Sequence, residues 1–457
     1  MIHSAERHQG EVRTRVFARM WGVAVVAHLA GNPFYGDVSP RPSLIGFVLA
    51  AAGLLATALV VSPRRWVMLA LGIVVPLSVI LEAPVLGNHW LLAGFVSVAY
   101  LLTGGERDRF EPAARGILLV FYAFAAFAKL NTGFLDPATS CGLFYANQAL
   151  GEWGIGPFSP RGFVGLATAW ASALVELSVP ILLVIRRTRA IGVLVGIAFH
   201  GLVSFDTAQH FYDFTAVLLP LFVLFLGDAY FERFESIGHR LRPRLRRVLA
   251  AMVTVIGLGV TVANVTPLTE LSLRILTDGS FIWWIPYLAA VVWSAAGSLR
   301  PVAVRWRMGP VAAVLVAIVF VNGLTPYLEL KTAYGWNMYS NLVTVDGESN
   351  HLLVRSTWPL RDGQNDLVTV VASDDPGLQA YADQGYLLPW PSFLLYTSAH
   401  PDISVSYARA GSVAEVPRAA DDPVLSAPVP WWWRWMPLRA VHAETPDRCQ
   451  TGFLPAL

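Results

Sequence analysis

Lys129 closes the apolar run GILLVFYAFAAFAKLN, where its ammonium stands at the edge of hydrocarbon. A charge at that depth is costly, so its presence marks a candidate for moving protons. The alternative is a snorkelling side chain that carries its charge back to the headgroups. Histidines recur at comparable places: His28 ends one apolar run, His89 opens another, His200 lies near the end of a third and His210 opens a fourth. Imidazole is the side chain best suited to acid and base work near neutral pH. Glu176 lies inside ATAWASALVELSVPILLVI, where a carboxyl must be protonated or paired, and His200 and Lys129 are its candidate partners. An interhelix hydrogen bond is the structural role open to it. Pro180, four residues on, frees backbone carbonyls and permits a bend.

These residues must be positioned by membrane-spanning elements. Of 457 residues, 55% are hydrophobic and 14% charged, and the mean hydropathy is +0.53, values of a polytopic membrane protein rather than a soluble enzyme. Apolar runs of about 17 to 25 residues read as spans. They fall near 16–32, 43–61, 66–84, 88–103, 115–131, 162–185, 190–205, 211–227, 247–266, 280–298 and 308–325, which makes eleven. The first is the weakest, interrupted by His28 and Gly31.

Arginines fall in alternate connections: the amino-terminal arm, then Arg64 and Arg65, then Arg107, Arg109 and Arg115, then Arg186, Arg187 and Arg189. HRLRPRLRR at 239–247 and Arg300, Arg305 and Arg307 complete the set. The positive-inside rule then predicts a cytoplasmic amino terminus, with everything after residue 326 extracytoplasmic. The polar arm ahead of the first span carries no cleavable signal pattern. In this topology Lys129, His28, His89, His200 and His210 gather at one level, the outer membrane boundary. Unrelated interfacial residues at helix ends would give the same gathering.

The expected organisation is a cytoplasmic arm at 1–15, a helical membrane domain at 16–335 and an extracytoplasmic region at 336–457. HLLVRSTW, DLVTVVAS and ISVSYARA read as strands of a small β-rich domain, separated by turn residues. DDPGLQAYADQGY at 374–386 reads as a helix capped by Asp375. WWWRWMP at 431–437 suits a membrane interface, with a peptide-binding surface as the second reading. Cys141 and Cys449 lie on the same oxidising side, which predicts a disulfide stapling the outer region to the membrane part. The histidines show no HExxH-like spacing, so no metal centre is expected. AGNPFYG lacks the spacing of a phosphate-binding glycine loop, and no nucleic-acid partner is expected.

GNHWLL at 87–92, FYAFAAFAKLNTGFLD at 121–136, FHGLVSFD with HFYDFTAVLLPLFVLFL after it, and NGLTPYLELKTAYGWNMYSNL at 322–342 together resemble the HTTM family. This is the membrane domain of vitamin K-dependent γ-carboxylase and its bacterial relatives, and the resemblance covers about residues 16–345. It implies an integral multi-pass plasma-membrane protein with a quinol-dependent, carboxylase-like lyase or quinol monooxygenase-like activity. The cofactor would be reduced vitamin K or menaquinone, with oxygen and carbon dioxide, and the substrate a secreted peptide or protein. Lys129 matches the lysine that deprotonates the quinol, and His89, after Asn88, the histidine that handles oxygenated intermediates. His200 or His210 matches a further site histidine, and Asn131 follows the lysine motif in a supporting place. The chain departs from the family at Gly87, Ala128, Asn131 and Phe134, and these differences bear on the carboxylation step. A lipid quinol would arrive through the bilayer and a secreted peptide from outside, so an outer-boundary site suits both. The alternative is a non-catalytic maturation, immunity or peptide-handling factor. A transporter is disfavoured, since no paired, interrupted segments mark corresponding halves.

Overall fold

The computed structural model describes residues 2–31, 44–266 and 269–450. The rest of AGNPFYG after Gly31 and the last seven residues of the 336–457 region lie outside the described residues. Helices account for 61% of the chain, and the small sheet is confined to its carboxy-terminal region.

Each apolar run coincides with a helix: α1 (Ile2–Gly31), α2 (Leu44–Val61), α3 (Arg65–Glu82), α4 (Asn88–Leu102) and α5 (Arg107–Phe127). A short α6 (Thr132–Leu135) and α7 (Cys141–Gly151) then precede α8 (Phe163–Val184), α9 (Arg189–Val203) and α10 (Tyr212–Val223). Next come α11 (Asp228–Arg240), α12 (Pro243–Ala263), α13 (Glu270–Gly279), α14 (Phe281–Ala296) and α15 (Pro310–Leu324). Among the described residues, 6 stretches are long and apolar enough to cross a membrane: α2, α3, α5, α8, α12 and the continuous Arg274–Ala296. The runs that became α4, α9, α10 and α15 make shorter apolar helices.

The weakest run by composition occupies the centre. From Val12 onward α1 is nearly enclosed, with Val16, Met20, Trp21, Ala27 and Ala30 fully buried. Protein rather than lipid surrounds it, so it can carry Arg13 and His28 where a lipid-facing helix could not. The arm expected at 1–15 is no separate segment, because residues 2–15 continue the same helix. Arg13 anchors its buried start: its Nε and Nη2 donate to Glu111, Nη1 to Leu226 O and Asp228, and Nη2 also to Leu224 O.

After α15 the chain forms a two-residue hairpin, β1 (Thr344–Val345) and β2 (Glu348–Ser349), turning at Asp346 and Gly347, both with positive φ. An antiparallel sheet follows, built from β3 (Leu367–Ser373), β4 (Tyr386–Pro389), β5 (Val405–Arg409), β6 (Ser412–Val416) and β7 (Val441–His442) in the order β6-β5-β3-β4-β7. The α16 (Pro376–Asp383) and α17 (Trp390–Ala399) helices bury Leu378 and Phe393 against Val368 and Leu388. DLVTVVAS and ISVSYARA are therefore strands, and Asp375 caps α16 by accepting from Leu378 N at 2.8 Å. HLLVRSTW is not a strand. It docks instead on the end of α5, with His351 Nε2 on Phe127 O at 2.9 Å and Leu352 N on Leu130 O at 2.8 Å.

Candidate functional site at the end of α5

The segment that carries Lys129 is held from outside the helical part. Asn131 Oδ1 accepts from Phe134 N at 2.8 Å and so caps α6, while its Nδ2 donates to Ala128 O and to Ser340 O. Asn131 is thus a positioning residue. Thr132 N reaches Asn350 O, and the disulfide between Cys141 and Cys449 ties the start of α7 to the chain's end. With those anchors set, Lys129 turns towards α8 and pairs with Glu176 at 2.8 Å. A second Nζ hydrogen donates to Ala125 O at 3.3 Å. Two of the three ammonium donors therefore have protein partners.

Both members of this pair line a cavity of about 720 Å³, within the size range of small-molecule sites. Its wall is mostly aromatic and aliphatic, including Phe121, Phe134, Phe199, Phe214 and Trp336. The polar groups on it include the Lys129–Glu176 pair, Tyr122 with His200, Asn88 and Asp206, with the hydroxyls of Tyr145, Thr168, Ser172 and Tyr339. Tyr122 Oη lies 2.9 Å from His200 Nε2. Asp206, beyond the end of α9, takes two hydrogen bonds from Gln148 Nε2 on α7, and burial pushes its carboxyl up. Burial likewise pushes up the Tyr145 and Tyr339 phenols on the cavity wall. The cavity reaches the surface where Leu202 on α9 is 71% exposed and Trp153 beyond α7 is 65% exposed. That mouth is apolar, formed by α7, α8 and α9.

Asn88 and His89 diverge. Asn88 Oδ1 accepts from Trp336 N at 3.0 Å and its side chain lines the cavity. His89 turns away into a buried group with His28 and Asp213, its Nε2 3.0 Å from Asp213 Oδ2 and 3.3 Å from His28 Nδ1. Phe214 stands between the two sets, its ring 5.8 Å from that of His89 and 5.1 Å from that of His200. Of the two histidines left open by sequence, His200 lines the cavity. His210 lies apart, 3.6 Å from Asp278.

Sequence reasoning missed Tyr122, Asp206 and Asp213. Asp213 had a readable signal, a lone carboxylate one turn into an apolar run, beside a histidine already singled out. Lys331 was missed as well: it is buried beneath the Tyr334 ring at 4.6 Å, and burial pulls its ammonium down to about 7. Comparison with protein-family models, with curated proteins and with solved structures finds no match for this chain.

Proposed function

We propose that the protein is a membrane enzyme that deprotonates and oxidises a lipid-soluble quinol in this cavity, of the carboxylase-like kind its motifs resemble. In this reading about eleven segments cross the bilayer, the amino terminus is cytoplasmic and the carboxy-terminal region is extracytoplasmic. The observation that carries it is an apolar cavity with an exposed apolar mouth whose wall presents one lysine–carboxylate pair. The fit to a quinol is one of shape and chemistry. A flat aromatic ring suits walls of Phe and Trp, an isoprenoid tail suits the mouth at Leu202, and a phenolic hydroxyl suits the pair.

When bound, the reduced quinone supplies the electrons that oxygen accepts and, in the family's reaction, the base that precedes addition of carbon dioxide to a peptide glutamate. The chain's own part is proton handling. With the pair as ammonium and carboxylate, Glu176 takes the hydroxyl proton, the O–H electron pair stays on oxygen, and Lys129 stands beside the new oxyanion. With the pair neutral, the Lys129 amine takes it. In either case one proton moves and the pair holds it. Tyr122 and His200 supply a second donor–acceptor couple on the same wall.

The test uses purified protein in lipid nanodiscs with reduced menaquinone or vitamin K, oxygen, labelled bicarbonate and a glutamate peptide. Wild type is expected to form quinone epoxide and Lys129→Ala to lose about 100-fold or more of that rate, and label in the peptide then reports carboxylation. If wild type forms neither product while Lys129→Ala supports the cellular phenotype, the enzyme reading fails. The maturation, immunity or peptide-handling reading then stands.

A further inference from the structure

The buried group behind Phe214 has the arrangement of a metal centre. His28 Nδ1, His89 Nε2 and Asp213 Oδ2 come from α1, α4 and α10, and their mutual distances are 3.3, 3.0 and 3.8 Å. Ligand atoms about 2.0–2.1 Å from a tetrahedral ion stand roughly 3.3–3.4 Å apart, and the three separations bracket that value. All three side chains are buried. His89 Nε2 faces an imidazole nitrogen and a carboxylate oxygen together, and a cation between the three would take one lone pair from each of these atoms.

The surroundings are those of ligands held in place. The His28 ring stacks on Trp90 with centroids 3.7 Å apart, and its far nitrogen, Nε2, lies 3.9 Å from Glu82 Oε2. A carboxylate behind a histidine is the usual means of orienting a ligating imidazole. Glu82 is itself positioned by Trp90 Nε1, 3.1 Å from its Oε1. Asp213 Oδ1 takes the hydrogen bond of Phe214 N, which turns Oδ2 to the centre. At Gly87 an added Cβ would stand 2.7 Å from His89 Cε1, so glycine there leaves room for the ring.

We propose that His28, His89 and Asp213 bind one divalent first-row transition ion, of the zinc or ferrous class, with Glu82 as a positioning residue. Two imidazoles and one carboxylate suit those ions, and three protein ligands keep a position for water or a substrate oxygen, as catalytic rather than structural centres do. The site does not depend on the quinol reading. Motif spacing gave no sign of it because its ligands are distant in sequence, His28 and His89 alone being 61 residues apart.

The experiment is element analysis of full-length protein, followed by chelation and titration with cobalt(II) and zinc(II). Wild type is expected to hold about one ion per chain and, with cobalt, to show the visible absorption of a four-coordinate N/O site that zinc displaces. Asp213→Asn and His89→Gln abolish that spectrum, Glu82→Gln weakens affinity by about 10–100-fold, and His210→Gln leaves both unchanged. Should the ligand variants fail to fold, wild type alone decides through its spectrum and its loss of thermal stability on chelation. Wild type that takes up neither ion, or Asp213→Asn and His89→Gln proteins that bind cobalt as wild type does, overturns the proposal and leaves a hydrogen-bonded histidine–aspartate network. Quinol turnover is not needed for any readout, so this inference and the proposed function fail separately.

Discussion

The α5 helix carries a buried cation–carboxylate set at each end, and the two differ in how completely they are satisfied. Near its start, Arg13 directs all five guanidinium hydrogens at Glu111, Asp228 and the carbonyls of Leu224 and Leu226. Arg115 adds bonds to Glu111, Leu224 O and Arg305 O. Past its other end, Lys129 has Glu176 and one carbonyl, and faces an apolar cavity. A buried charge whose donors are all used is a clamp. One that keeps a donor towards an apolar cavity is equipped to meet a ligand.

That contrast breaks most visibly if stability is lost equally at both ends. Glu111→Gln removes the carboxylate that Arg13 and Arg115 share in the interior and is expected to cost about 3–5 kcal/mol, read by thermal or denaturant unfolding in detergent. Glu176→Gln should cost far less by the same measurement, since Lys129 can turn its ammonium to ligand or water in the cavity. Equal losses would make the Lys129 pair a second clamp.

Lys331 sharpens the comparison from outside the helices, as a buried cation that pairs with no carboxylate among the described residues. Its folded-state value of about 7 lies below its ordinary 10.5, so between those limits the unfolded chain holds the proton and the folded chain does not. Stability should therefore rise with pH across that window, by up to about 1.4 kcal/mol per unit, and be lost as pH falls towards 7. Lys331→Met is expected to flatten that slope and to raise stability at neutral pH. A pH profile unchanged by the substitution would show that the ammonium finds water or a partner. The smallest effect is at the carboxy-terminal sheet, where Asp375→Ala removes the α16 cap and should cost about 1 kcal/mol without altering any reaction at Lys129.

Local signals were legible in sequence where one element suffices. The apolar runs coincide with helices, Asp375 caps where its spacing predicted, and the two cysteines are joined. Lys129 and Glu176 were named as possible partners because a mid-membrane carboxyl needs one. Readings that depended on tertiary placement fared differently. The first run looked weak because His28 and Gly31 interrupt it, yet it forms the helix that the others enclose. HLLVRSTW has strand periodicity, yet His351 and Leu352 are drawn to the carbonyls of Phe127 and Leu130 at the end of α5. His89 was expected beside Lys129, but adjacent residues on a helix point about 100° apart, so Asn88 faces the cavity and His89 the buried cluster. Nothing in one-dimensional spacing joins His28, His89 and Asp213.

The central claim is that the cavity beside Lys129 receives the quinol, and blocking it is the most direct test. Ala125 lines the cavity one turn before Lys129, and its side chain, unlike its carbonyl, has no part in holding the lysine. Aerobic oxidation of reduced menaquinone by purified protein should be abolished in Ala125→Phe, with the melting temperature close to that of wild type. Turnover in Ala125→Phe equal to wild type, or no turnover and no quinone binding by wild type itself, would contradict the account.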